Sequence, residues 1–134
     1  MVKSKKWFGS AQKLLRNGIE YASRGEAEFS AILDKLLLEK TIISWSPHPV
    51  FKLKNYKKQS VMKYTPDFLV TFPNGRKVCV EIKSGGKFAI TEAANVRMAY
   101  FVFAYPDIPL VLIRSSGKDK FNLSELLFYS NSLI

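Results

Sequence analysis

The pattern of apolar and polar positions divides the chain into helical and extended segments. Between Glu26 and Glu39, apolar residues recur every three or four positions, which predicts an amphipathic helix. Ser23 followed by Glu26 is typical of a capping box, so this helix is expected to begin near residue 23. A second helix is predicted over 91–103, where alanines favour close packing and Thr91 is a candidate N-cap.

Extended segments are expected in the middle and towards the end of the chain. Residues 42–45 and 50–53 have the composition of strands and flank a Pro-rich turn. Residues 110–113 are all apolar, which predicts a strand buried on both faces. A short helix is expected over 123–129. This order of elements predicts an α/β domain with a central mixed sheet flanked by helices.

A β-hairpin is predicted where two apolar runs flank the turn residues Pro73-Asn74-Gly75-Arg76. Two loop types fit these residues. A three-residue loop, with Gly75 in the left-handed conformation, places Asp67 opposite Glu81. A two-residue Asn-Gly loop places Asp67 opposite Ile82 instead. The turn residues favour the three-residue loop without excluding the other.

With the three-residue loop, the hairpin has one apolar face and one face that carries polar groups. The apolar face is expected to join the core and comprises Phe68, Val70, Phe72, Val78, Val80 and Ile82. The second face carries Asp67, Leu69, Cys79, Glu81 and Lys83. Two acids that lie opposite each other are destabilising, so a cation is expected between them.

The polar residues of this second face suit phosphate chemistry. Asp67 and Glu81 offer the oxygen ligands that Mg²⁺ prefers, and a metal held there would lower the pKa of a bound water. Lys83 lies two residues beyond Glu81 on the same strand face, where it would offset negative charge on a phosphate. An ordinary hairpin with a surface Asp and a Glu–Lys pair is the alternative.

The net charge of the chain favours a polyanionic partner. Lys and Arg number 21 against 11 Asp and Glu, for a net charge of +10. No acid occurs in residues 51–63, and clustered lysines release counterions when they bind nucleic acid. The candidate DNA-binding residues are Lys52, Lys54, Lys57, Lys58, Lys63, Lys87 and Arg97.

Composition and length narrow the classes of protein to which the chain can belong. A chain of 134 residues suits one domain, expected over 23–134 behind a basic N-terminal arm or helix over 1–22, with a helical turn near 12–15. No apolar run reaches the ~20 residues of a membrane span, and no signal peptide is evident. An intracellular protein without a membrane partner is expected. Cys79 is predicted to be a small buried apolar residue, and His48 an ordinary loop residue between two prolines.

The candidate site comprises Tyr64-Thr65-Pro66-Asp67-Phe68-Leu69-Val70, a short turn and then Val80-Glu81-Ile82-Lys83. This layout resembles the signature of the PD-(D/E)XK nuclease superfamily over about residues 23–114. It is most similar to phage Holliday-junction resolvases of the endonuclease I type, and also similar to the end-cutting nuclease subunit of certain transposons. The resemblance implies a restriction-endonuclease-like core and a DNA endonuclease that depends on Mg²⁺, with Mn²⁺ as a substitute.

The same resemblance implies roles for individual residues. Asp67 and Glu81 would bind the metal, and Lys83 would be the catalytic lysine. An acid from the first helix would bind or orient a metal as well. Glu26 is the preferred candidate for that role, and Glu28 is the alternative if the helix begins one residue later.

Three functions follow as hypotheses. The first is a metal-dependent endonuclease on branched DNA, acting as a homodimer because two strands are cut symmetrically. The second is a nuclease subunit of a mobile element or a sequence-specific endonuclease. The third is a non-catalytic nucleic-acid-binding module that keeps only the fold. The complete set of two acids and a lysine argues against the third.

Overall fold

The computed structural model of the chain describes residues 14–84, 92–115 and 121–131. Within these ranges the elements are β1 (Leu14–Arg16), β2 (Ile19–Tyr21), α1 (Arg24–Leu38), β3 (Ser44–Pro47), β4 (Phe51–Lys54), β5 (Ser60–Tyr64), β6 (Phe68–Thr71), β7 (Lys77–Ser84), α2 (Glu92–Ala104), β8 (Leu110–Ser115) and α3 (Ser124–Phe128). None of the helices in these ranges is long and apolar enough to cross a membrane.

A mixed sheet with the strand order β3-β6-β7-β8 forms the centre of the fold. The β3–β6 and β6–β7 pairs are antiparallel, whereas β7 and β8 are parallel. Helix α1 packs on one face of the sheet, and α2 packs on the other together with the β4–β5 hairpin. The predicted α/β class, with a mixed sheet flanked by helices, is confirmed.

The loop between β6 and β7 is the three-residue loop. Phe72 N donates to Arg76 O, and Gly75 N donates to Phe72 O, both at 2.9 Å. Gly75 has a φ of 89°, in the left-handed region that glycine tolerates. The strand pairing continues in the expected register, which brings Asp67 opposite Glu81 and excludes the two-residue loop.

The two faces of this hairpin lie in two separate apolar clusters. The face predicted to join the core packs against α1, and each of its side chains is at most 7% exposed. The other face contributes Cys79 to a cluster with Leu53, Tyr64, Met98 and Phe101. Cys79 is therefore the buried apolar residue that was expected, and burial raises the pKa of its thiol to about 12.

Helix α1 begins as its capping residues predict. The Ser23 hydroxyl accepts a hydrogen bond from Glu26 N at 3.2 Å, which satisfies one of the free N–H groups of the first turn. The helix buries Phe29 and Leu33 against the sheet. Its N-terminus approaches the sheet closely, because a Cβ at Gly25 would lie 3.5 Å from Ile82 Cγ2. The start of α1 is thereby held beside the polar end of β7.

The expected helical turn near 12–15 is wrong for its described residues, Leu14 and Leu15, which lie in β1. Asn17 and Gly18 form the turn between β1 and β2, with φ values of 52° and 80°. Two positive φ values are typical of a type I′ hairpin turn. Tyr21 at the end of β2 is buried in the main core, so this part of the basic segment packs on the domain.

Two strands differ from the prediction. Residues 60–63 were expected only as part of a basic segment, yet together with Tyr64 they form β5 and pair with β4. The strand at 110–113 was expected to be buried on both faces, and this is wrong because Leu112 is 45% exposed. Strand β8 is an edge strand of its sheet, so its side chains have a neighbouring strand on one side only. Thr91, the candidate N-cap of α2, lies outside the described residues.

Replacing Gly75 with alanine is expected to lower the free energy of unfolding by about 1 kcal/mol, because an alanine there must hold a left-handed backbone. A Cβ at this position meets no atom within 4 Å, so the cost is conformational. Gly25→Ala is the matched control: its added Cβ makes an ordinary contact, and the change should be neutral or stabilising. Urea unfolding measures both, and equal destabilisation by the two variants would contradict the loop assignment.

Candidate active site

Asp67, Glu81 and Lys83 lie together at the ends of β6 and β7. Ile82 N donates a hydrogen bond of 2.7 Å to Asp67 Oδ2, so the carboxylate is held across the hairpin. Lys83 Nζ lies 3.5 Å from Glu81 Oε2, with the two side chains only 21% and 13% exposed. The structure thus brings together the three residues that the sequence singles out.

The two acids of the hairpin repel each other in a partly buried site. Burial and the charge of Glu81 raise the pKa of Asp67 to about 8, although the hydrogen bond from Ile82 N opposes this shift. Burial also raises the pKa of Glu81, against the opposite effect of Lys83. The pair therefore holds a proton more tightly than two exposed carboxylates do, and a bound cation would relieve the same repulsion.

Helix α1 supplies a third acid to the neighbourhood. Glu26 is 9% exposed, and its charge further raises the pKa of Asp67. Glu26 Oε1 is buried and has no hydrogen-bond partner among the described residues. Glu28, the alternative, lies 4.0 Å from Arg24 in a more exposed ion pair. The structure therefore favours Glu26 over Glu28 as the acid that faces the site.

His48 lies closer to the site than its sequence context suggests. Its Nε2 is 3.6 Å from Glu26 Oε1, and its backbone N donates to Asp67 O at 2.9 Å. The pairing of Pro47 with Phe68 explains this placement, because the next residues along the two antiparallel strands meet. His48 is therefore more than an ordinary loop residue, because it lies beside two acids of the site. Only the β3–β6 pairing could have indicated this position.

Tyr64 is a site residue that sequence reasoning used only as part of a motif. Its hydroxyl is buried and makes no hydrogen bond of normal geometry to another residue in the described ranges. Burial, followed by the nearby charge of Glu81, raises the pKa of Tyr64 well above its usual value. The phenol therefore keeps its proton at neutral pH and lies beside the Glu81 carboxylate. Its position three residues before Asp67 was the available signal.

Strand β8 adds a second positive charge near Lys83. The parallel pairing places Arg114 beside Lys83 and Leu112 beside Glu81. Residues that pair in register point to the same face of a sheet, so Arg114 extends the cationic side of the site. Because this juxtaposition depends on the β7–β8 pairing, the sequence alone did not indicate it.

The family of the chain follows from a match over most of its length. Residues 5–120 match the model of a family described as "Protein of unknown function (DUF1064)". The chain belongs to this family. No curated protein and no solved structure matches the chain.

The acids of the DUF1064 site fit a small divalent cation. In the part of the chain that the structure describes, no group of three or more His, Cys, Asp and Glu side chains is arranged to hold a metal ion. Mg²⁺ is usually bound by only one or two carboxylates, with water and phosphate completing its shell. Asp67 and Glu81 meet that requirement, and the buried Glu26 Oε1 is a free acceptor for a water. Ligation by Glu26 itself stays a prediction.

The predicted DNA contacts of the DUF1064 protein fall into three places. Five exposed lysines lie on the β4–β5 hairpin and its turn: Lys52, Lys54, Lys57, Lys58 and Lys63. Arg97 is exposed on α2, the helix against which this hairpin packs. Lys87 lies outside the described residues. The hairpin therefore carries most of the described positive charge that was expected to meet DNA.

In EDTA, the free energy of unfolding of this DUF1064 protein is expected to fall as the pH rises from about 4 to about 8. Asp67 has an ordinary pKa of 3.8 when unfolded and about 8 when folded. The folded state therefore binds more protons in this window, and its extra stability is lost as the pH rises through the folded pKa. The raised pKa of Glu81 acts in the same direction.

Asp67→Asn is expected to flatten this pH dependence, because the asparagine does not titrate. Urea unfolding at pH 5, 6.5 and 8 measures the slope, and each unit of lost pKa shift corresponds to about 1.4 kcal/mol. Asp107→Asn, at an exposed turn position, is the matched control and should keep the slope of the wild type. Equal slopes in the two variants would show that Asp67 does not carry the effect.

Proposed function

We propose that this protein is a divalent-cation-dependent DNA endonuclease that hydrolyses phosphodiester bonds in branched DNA. The observation that carries the proposal is the convergence of Asp67, Glu81 and Lys83 on one face of the β6–β7 hairpin. Two acids with pKa values raised by burial are costly in a hairpin that has only a structural role. A site that takes up a cation and a phosphate accounts for their position side by side.

Each residue has a distinct part in the proposed reaction. Asp67 and Glu81 would hold Mg²⁺ or Mn²⁺, which when bound stabilises charge on the phosphate and lowers the pKa of a coordinated water. The backbone amide of Ile82 orients Asp67, and the Tyr64 phenol faces Glu81. Lys83 would stabilise the negative charge that develops on the scissile phosphate.

Glu26 and His48 would handle the proton of the attacking water. The buried Glu26 Oε1 lacks a hydrogen-bond partner among the described residues, so it can accept a hydrogen bond from that water. His48 Nε2, 3.6 Å away, is placed to share the proton with the carboxylate. This assignment differs from metal ligation by Glu26, and both are compatible with its position at the start of α1.

The surface of the protein supports DNA as the substrate. The five exposed lysines of the β4–β5 hairpin adjoin the site through Tyr64, the last residue of β5. Contacts from lysine to phosphate position a duplex without reading its sequence, which suits an enzyme that recognises DNA shape. Paired cuts at a branch require two sites, so the proposal includes a homodimer.

The wild-type protein is expected to cut a four-way junction in Mg²⁺ and to be inactive in EDTA. Asp67→Asn and Glu81→Gln should each lower the rate by about a hundredfold or more, since several kcal/mol of charge stabilisation depend on the metal. Lys83→Gln should have a similar effect, because it removes positive charge from the phosphate. Gel analysis of end-labelled strands measures the cuts.

Two matched variants control this experiment. Asp107→Asn and Lys77→Gln make the same chemical changes at exposed positions away from the site, and both should cut at the wild-type rate. Undiminished cleavage by Asp67→Asn would overturn the assignment of the site. Salt-sensitive DNA binding by the wild type, with no cleavage in Mg²⁺ or Mn²⁺, would instead support a non-catalytic binding module.

Divalent cations are also expected to stabilise the protein in the absence of DNA. At pH 8, Mn²⁺ at about a hundred times its dissociation constant should add about 2.7 kcal/mol to the free energy of unfolding. Asp67→Asn and Glu81→Gln should abolish this gain, whereas Asp107→Asn should keep it. Thermal unfolding with Mn²⁺ and with EDTA measures the difference, and an equal gain in all variants would place the cation elsewhere.

A further inference from the structure

The β4–β5 hairpin carries like charges in direct opposition. It forms a two-stranded sheet separate from the central one, and Lys52 pairs directly with Lys63 across its strands. The inward face contributes Leu53 and Tyr64 to the second apolar cluster, while both lysines are exposed. Like charges in register destabilise a hairpin, and a bound polyanion would remove that cost.

The tip of the hairpin is closed by hydrogen bonds of the side chain and the backbone of Asn55. Asn55 Oδ1 accepts hydrogen bonds from Lys57 N and Gln59 N at 2.9 and 3.0 Å. Asn55 N donates to Gln59 O at 2.9 Å, which closes the turn. Lys58 has a φ of 66°, a strained backbone that these contacts maintain. The tip is thus a fixed platform for the side chains that it presents.

Tyr56 is the aromatic side chain that this tip presents to solvent. It is 87% exposed, and Lys57 Nζ lies 5.7 Å from the centroid of its ring. An exposed aromatic residue on its own needs no explanation. In a fixed turn among lysines, however, it has the two features of a single-strand binding platform, which are a ring for base stacking and cations for the backbone.

The base of the hairpin is anchored to α2 and to Tyr105, the residue directly after this helix, which fixes its direction relative to the site. The Tyr105 hydroxyl donates to Lys52 O at 2.9 Å, and the Tyr100 hydroxyl donates to Lys54 O. The Phe51 ring packs edge-on against Phe101, with centroids 4.9 Å apart. These contacts therefore hold the base of the hairpin against the domain.

The tip and the candidate site are close enough to contact the same DNA. Strand β5 runs from the tip back to Tyr64, beside Glu81. Lys58 and Tyr64 are six positions apart, and a fully extended chain of that length spans at most about 22 Å. A turn of B-DNA is longer, at about 34 Å. One DNA arm can thus reach both places at once.

We propose that Tyr56 stacks on an unpaired base while the hairpin lysines hold the phosphates of the adjoining duplex. The hairpin is then the element that distinguishes DNA with unpaired bases from continuous duplex. This inference rests on the proposed function in one respect only, which is that the bound DNA is also the substrate that is cut. Binding through the hairpin requires neither the acids of the site nor a metal.

The test uses two DNA duplexes in EDTA, one fully paired and one with a single unpaired 2-aminopurine. We expect wild-type protein to prefer the unpaired substrate and to quench the 2-aminopurine fluorescence by stacking. Tyr56→Ala should weaken binding to this substrate about tenfold, remove the quenching and leave binding to paired duplex within about twofold. Tyr56→Trp should retain both properties. Fluorescence anisotropy measures the affinities.

Phe103→Ala is the matched control, because Phe103 is an aromatic residue of α2 that is 85% exposed. It should bind both duplexes as the wild type does. An equal loss of affinity for both duplexes in Tyr56→Ala, or no loss at all, overturns the stacking role. Fluorescence quenching that persists in Tyr56→Ala overturns it as well.

A charge-matched pair of double variants tests the lysines. Lys52→Gln/Lys63→Gln should weaken binding to both duplexes and reduce the slope of log affinity against log salt by about 2. Lys35→Gln/Lys77→Gln removes two exposed lysines elsewhere and should leave the slope nearly unchanged. Equal changes of slope in the two double variants overturn the role of the hairpin.

Cleavage in Mg²⁺ separates this inference from the proposed function. Binding that prefers unpaired bases through Tyr56, without any cleavage in Mg²⁺ or Mn²⁺, supports the hairpin role and rejects the nuclease. Metal-dependent cleavage that requires Asp67, combined with unchanged binding by Tyr56→Ala, rejects the hairpin role and leaves the nuclease standing.

Discussion

The candidate site depends on the register of β6 against β7. Because side chains alternate along a strand, a shift of one residue would turn one strand over relative to the other. Asp67 would then share a face with Ile82 instead of Glu81, and the apolar residues of one strand would leave the main core. The hydrogen bonds from Phe72 N to Arg76 O and from Gly75 N to Phe72 O, with Gly75 in the left-handed conformation, prevent that shift. A loop at one end of the hairpin thus determines the chemistry at the other end.

The apolar core explains how the fold tolerates two neighbouring buried acids. The side chains behind them are closely packed against α1, and burial of that surface contributes about 25 cal/mol per Å². The acids themselves are stabilised only in part, by the Ile82 amide on Asp67 and by Lys83 on Glu81. Residual repulsion of this kind is typical of sites that gain stability when a ligand arrives.

The features that could be predicted from sequence are those set by local contacts. The cap at Ser23 and the turn at Gly75 each involve residues within four positions of one another, so their chemistry is legible in the chain. The proximity of His48 and of Arg114 to the acids arises from pairing between distant strands, which a single sequence does not specify. Strand β5 was missed because lysine and serine obscure its alternation. The hairpin at Asn17-Gly18 had a local turn signal, but its flanking strands are only three residues each and show little alternation.

The opposed lysines of the β4–β5 hairpin give dissolved salt two contrary effects. Mobile ions screen exposed charges over about 8 Å at physiological ionic strength, so added salt relieves the repulsion between Lys52 and Lys63. Those same ions compete with the lysines for phosphate and weaken the hold on a polyanion. The partly buried pair of Asp67 and Glu81 is screened much less than these exposed lysines. Added salt therefore stabilises the β4–β5 hairpin of the free protein, weakens its binding to a polyanion and changes the repulsion between the two acids only slightly.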